Sequence, residues 1–160
     1  MQQWSTRVAS QDPIDGWALA DARSSVEFAR SLVLGIGVPP PRWILTLLRP
    51  QEEEETIVLA RVASVSALVA EVVGFLDARK PSRFHLVGTL SIRAGSREEL
   101  AVFGIAAGGG HAWVLKAVID SDGMPGPVEV AEDPGAAVLG PFTRLVRWGR
   151  PPRRRRRLRG

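Results

Sequence analysis

The side chains able to do chemistry in this 160-residue chain are few and scattered. There are two histidines, His85 and His111, and no cysteine. Disulfides, thiolate zinc sites and thiol redox chemistry are thereby excluded, and two histidines alone do not build a metal cluster. No G-x-S-x-G elbow presents a nucleophilic serine, and neither histidine has an evident partner for a triad. Paired carboxylates occur at Glu98-Glu99 and at Asp120 and Asp122, in segments that read as turns. Water solvates both acids there, and nothing separates one pKa from the other. Glu52 to Glu55 form a linear acidic run, whereas an oxygen cage needs varied, converging ligands. Gly35-Ile36-Gly37 runs into Val38 and three prolines, and Gly108 to Gly110 run into a strand. Neither cluster therefore opens a helix N-terminus toward a phosphate. The expectation is a protein that is not an enzyme and carries no cofactor or metal.

The basic residues are concentrated at one end. Net charge is +4, yet Arg150, Arg153, Arg154, Arg155, Arg156, Arg157 and Arg159 supply seven of the 21 basic residues. The rest holds 14 bases against 17 acids, a mildly acidic body of net −3. A terminal block of like charge repels itself, and Pro151-Pro152 deny it a helical start. Residues 149–160 thus read as a disordered, solvated tail. Such a tail can neutralise phosphates on a nucleic acid or an anionic surface, with strong salt dependence. No aromatic residue is interleaved among the arginines to stack on a base.

The elements that must position these groups follow from hydropathy. The N-terminal residues lack the apolar run of a secretory signal. The most apolar stretch, Ser31 to Leu48, is interrupted by Pro39, Pro40, Pro41 and Arg42 and does not make a membrane span. A soluble, cytoplasmic protein is expected. With 45% hydrophobic residues the chain can fill one core. Asp15-Gly16-Trp17 reads as a turn into a first short strand, and Ser24 to Leu34 as a β-rich run with Val26, Phe28 and Leu32 on one side. Trp43 to Leu48 and Thr56 to Val65 read as the next strands, with the glutamates at the tip between them. Ser66 to Asp77 carries Leu68, Val72, Phe75 and Leu76 at helical spacing behind a Ser66 N-cap. Phe84 to Phe103 alternates through Phe84, Leu86, Leu90 and Ile92, turns, and resumes at Leu100 and Val102: a two-faced hairpin. Ala112 to Asp120 is a further strand, Ser121 to Gly135 a Pro/Gly/acid-rich connection, and Val138 to Trp148 would close the fold. The five tryptophans read as core residues more readily than as a ligand site.

Several of these segments resemble, in order, the YceI-like family. Trp17-Ala18-Leu19-Ala20-Asp21-Ala22-Arg23-Ser24-Ser25-Val26-Glu27-Phe28 is similar to its opening strand, with Arg23 where the family usually has histidine. Phe75-Leu76-Asp77 through Pro81 and Phe84 resembles the exit of its helix. Gly88-Thr89-Leu90-Ser91-Ile92-Arg93 resembles its hairpin, with Ala94 in place of a glycine, and Ile119-Asp120-Ser121-Asp122-Gly123-Met124 is similar to a segment near the end of its barrel. The resemblance spans residues 14–148. It implies a mainly β fold, an antiparallel lipocalin-like barrel with one short helix, and non-enzymatic sequestration of a hydrophobic, isoprenoid-like ligand inside it. Strand parity within such a barrel would point Phe28, Leu45, Leu59, Phe84, Leu86, Phe103, Trp113 and Leu115 inward as ligand-binding residues. Arg30 and Arg42 would meet a polar head group at the mouth. The alternative is an interaction protein, its barrel packed and ligandless, that presents Arg153 to Arg157 to a nucleic acid or an acidic partner.

Overall fold

Leu19, Ala22, Val26, Ala29 and Val33 recur at alternating intervals of three and four, the period of a single helix face, and all five are buried. In the computed structural model, which describes residues 13–36, 42–49, 54–59, 62–94, 96–108, 110–132 and 140–148, they form the inner stripe of helix α1, Pro13–Ile36. This corrects the strands expected between Asp15 and Leu34. The two-residue alternation there involves only Val26, Phe28 and Leu32, whereas the helical stripe is longer and rich in alanine, the strongest helix former. Glu27 and Arg30 add an ion pair one turn apart (3.5 Å). The triple proline and the Arg-rich segment 149–160 lie outside the described residues.

Six strands follow: β1 (Trp43–Leu48), β2 (Glu55–Leu59), β3 (Arg83–Ala94), β4 (Arg97–Gly108), β5 (His111–Ile119) and β6 (Glu129–Glu132). They form one antiparallel sheet in the order β2-β1-β3-β4-β5-β6. The β-rich expectation holds in this sheet, and the hairpin is its centre: β3 and β4 pair along their full lengths, from Arg83↔Gly108 to Ala94↔Arg97. β2 and β6 remain edges, so the described strands make an open sheet with helices on both faces and not a closed barrel. β6 arises inside the Pro/Gly/acid-rich stretch read as a connection. Asp120 makes the tight turn that leads to it, its carboxylate accepting from the backbone N–H of Asp122 and Met124, both at 2.9 Å. Glu98 and Glu99, by contrast, lie within β4 and not in the turn before it.

Helix α2, Val65–Arg79, is the helix expected between Ser66 and Asp77, begun one residue earlier at the cost of the end of the Thr56 to Val65 strand. Its N-cap is Ser64 and not Ser66: the Ser64 hydroxyl accepts from the Ala67 N–H at 3.1 Å. Lys80 ends the helix in a left-handed conformation, φ 48°, and donates its N–H to the Leu76 carbonyl, just ahead of a buried Pro81. The final segment is also helical. Gly140–Phe142 forms a 3-10 turn and Thr143–Trp148 helix α3, so the described part of the segment expected to close the fold, 140–148, adds no strand to the sheet. Phe142, Leu145 and Val146 are buried together, a clustering that one helical turn provides and a strand, which sends neighbours to opposite faces, does not.

The alternation of the strands divides the interior in two. On one face Leu45, Leu47, Leu59, Phe84, Leu86, Phe103 and Ile105 pack under α2 and α3. On the other, Val87, Val102, Ala106, Trp113, Leu115 and Ala117 pack under α1. No helix of the described residues is long and apolar enough to cross a membrane.

Candidate functional site

Because the sheet has two covered faces, the eight residues expected inside a barrel do not share one interior. Leu45, Leu59, Phe84, Leu86 and Phe103 belong to the face under α2 and α3. Trp113 and Leu115 belong to the opposite face. Phe28 sits on α1 and is 65% exposed. The five on the first face are packed solid. Trp43 meets Phe103 edge-on at 6.5 Å and tilts against Phe142 at 6.1 Å, while Phe84 meets Trp148 edge-on at 5.6 Å. The Trp43 indole lies directly over Gly88, where a Cβ would fall 2.3 Å from the ring. This side of the sheet is structural core.

The α1 face is different, and register explains why. Val58, Ile44, Val87, Gly104, Leu115 and Val130 form one cross-strand row on that face. α1 rides over the middle of the row, against β3, β4 and β5. It comes closest at Gly104, where a Cβ would stand 2.8 Å from the Val26 side chain. Among the described residues no helix lies above the β1–β2 end of the row: Ile44 is 40% and Val58 52% exposed.

Between the flank of α1 and this uncovered strip lies a cleft of about 290 Å3. Ser24, Ser25, Phe28, Ala29 and Leu32 wall it from the helix, and Arg42, Ile44, His85, Val87 and Gly88 from the sheet. Its surface is mostly apolar. The size is at the lower end of small-molecule sites, and the composition, apolar walls with a few polar groups, is the usual one for them. Of the two arginines expected at a ligand mouth, Arg42 is on this cleft. Arg30 is not: its Nε donates to the Gly126 carbonyl at 2.6 Å and ties α1 to the loop before β6.

His85 is the buried polar side chain of the cleft wall. It is 4% exposed, and its Nδ1 is buried without a hydrogen-bond partner. Burial lowers its pKa to about 4; Asp21 on α1 opposes the shift and Arg83 adds to it. The imidazole is therefore neutral at physiological pH. In the next row on this face, the pairings Thr46↔His85, His85↔Ala106 and Ala106↔Trp113 place a second buried ring nitrogen, Trp113 Nε1, which also lacks a partner. Each such orphan costs on the order of 1–3 kcal/mol. His111 stacks on Trp113 with ring centroids 6.1 Å apart, and its Nδ1 is 3.4 Å from a Glu132 oxygen. Both histidines thus lie on the α1 side of the sheet, although only His85 borders the cleft.

Among the described residues no group of three or more His, Asp and Glu side chains could hold a metal ion. Sequence reasoning did not find the cleft, because it placed Phe28 on a strand. The signal that could have found it was the stripe from Leu19 to Val33, which puts Phe28 and Leu32 together on a flank outside the buried face. Compared with protein-family models, curated proteins and solved structures, the chain matches none.

Proposed function

We propose that this protein binds an apolar small molecule, without transforming it, in the cleft between α1 and strands β1 and β3. The observation that carries this reading is the cleft itself: about 290 Å3 walled by Phe28, Leu32, Ile44 and Val87, beside apolar surface that α1 leaves exposed. Each methylene moved from water into such a site is worth roughly 0.8 kcal/mol before ordering costs. The resemblance to isoprenoid-binding proteins agrees in ligand class. It differs in location, since the ligand here would lie beside the sheet and not within a barrel, whose expected lining is largely the packed core under α2 and α3.

The test uses 8-anilino-1-naphthalenesulfonate as an apolar probe. Enhanced, blue-shifted fluorescence is expected with the wild-type protein and is expected to vanish in Ser25→Phe, which fills the cleft from its half-buried helix side. Circular dichroism checks that the variant keeps its fold. Undiminished fluorescence in a folded Ser25→Phe protein would place the apolar site elsewhere and overturn the reading.

A further inference from the structure

The two polar side chains that the sheet contributes to the cleft, Arg42 and His85, stand at opposite ends of its floor, while Ser24 and Ser25 lie on the helix wall. Thr46 is the register partner of His85, and Ile44 that of Val87. Arg42 precedes Thr46 by four residues, so the backbones at Arg42 and His85 are separated by about 13 Å at the rise of an extended strand. Ile44 and Val87 lie between them, with Phe28 and Leu32 of α1 as the facing wall. Arg42 is exposed. His85 is buried, with one ring nitrogen unpartnered.

From this arrangement we infer that the ligand is an elongated apolar molecule with a polar group at each end: an acidic group paired with Arg42 and a hydroxyl or carbonyl hydrogen-bonded to His85. The inference rests on the proposed cleft and adds the chemistry of its occupant. An unbranched chain carrying a terminal carboxylate and a terminal hydroxyl is the simplest molecule of this class. The carboxylate stays at the rim, where Arg42 is solvated and the ion pair gains little. The hydroxyl enters the buried end, where an imidazole that the protein leaves under-bonded gains a partner. An unsubstituted hydrocarbon would leave that imidazole as it is, so the site discriminates by what the chain carries at its inner end.

The experiment is isothermal titration of the full chain with 10-hydroxydecanoate, decanoate and 1-decanol. Wild-type protein is expected to bind 10-hydroxydecanoate about fivefold more tightly than decanoate, the worth of roughly one net hydrogen bond. It should bind 10-hydroxydecanoate a few-fold more tightly than 1-decanol, the contribution of one exposed ion pair. His85→Phe should erase the first preference and keep the second, and Arg42→Gln should do the reverse. The wild-type series stands on its own if either variant fails to fold. Equal affinity for all three molecules, abolished by Ser25→Phe, would overturn this inference and leave the cleft reading intact. Preferences that survive both substitutions would also overturn it. Binding of none of the three, together with absence of the naphthalenesulfonate signal, would remove the cleft reading as well.

Discussion

The two faces of the sheet obey different rules. Under α2 and α3 the side chains are large, the aromatic rings of Trp43, Phe103 and Phe142 interlock, and the helices cover β1, β3 and β4 together. Under α1, Trp113 and Leu115 are buried as well, but small residues, Ala22, Ala29, Ala106 and Gly104, let the helix come close over the middle of the sheet. With α1 seated over β4, no described element covers the β1–β2 end. Two ring nitrogens on this face also lack partners, whereas buried polar groups are normally satisfied. One face is thus closed over by interlocked rings, and the cleft is the part of the other that α1 does not cover.

This contrast can be broken most sharply by truncating one aromatic residue on each face. Phe84→Ala, in the core under α3, is expected to cost about 3–5 kcal/mol in urea unfolding. Phe28→Ala, on the exposed flank of α1, should stay within about 0.5 kcal/mol while weakening probe binding. Similar losses from both would mean that the faces are not divided in this way.

A smaller effect is expected from pH. His85 binds protons more readily unfolded, near 6.5, than folded, near 4. The stability linked to its neutral form is complete above 6.5 and declines as pH falls from 6.5 toward 4. The loss across that window is about 3 kcal/mol at the rate of 1.36 kcal/mol per unit. Unfolding of His85→Phe should lack this slope, and an identical slope in wild type and variant would assign the acid sensitivity to other groups.

The smallest effect compares two glycines. Gly88→Ala drives a methyl into the Trp43 indole, which Phe103 and Phe142 hold in place. Gly104→Ala meets one Val26 methyl on a helix with open space at its flank. Overpacking costs typically about 1–3 kcal/mol, and Gly88→Ala should lie at the upper end and Gly104→Ala at the lower. Val26→Ala, costly alone because Val26 is buried, should cost less in the Gly104→Ala background, where it relieves that contact. No coupling between the two substitutions would show that α1 is not seated on Gly104.

Much of the fold was legible. The hairpin from Phe84 to Phe103 showed in its alternation because each of its strands has one residue in two facing each core. The α2 helix showed because Leu68, Val72 and Leu76 repeat at helical spacing, although its cap lay two residues earlier at Ser64. α1 was hidden by a competing period, since Val26 and Phe28 alternate while Val26, Ala29 and Val33 follow a helix. β6 was hidden in glycine- and proline-rich sequence, because an edge strand needs only one pairing partner and few apolar residues. Of the candidate site residues among those described, Phe28 and Arg42 line the cleft, Arg30 ties α1 to a loop, and the others are core, while Arg153 to Arg157 lie outside the described residues.

The residue list by itself determined the absence of cysteine, the mildly acidic body, the central hairpin and one helix, because composition and local periodicity need no knowledge of what packs against what. Tertiary structure alone decided that the described strands form an open sheet, that the expected lining is divided between two cores, and that His85 is buried beside Ile44, Val87 and Phe28. Those outcomes depend on cross-strand register and on where α1 can approach the sheet. Both join residues far apart in the chain, and Gly104 with Val26 sets the second.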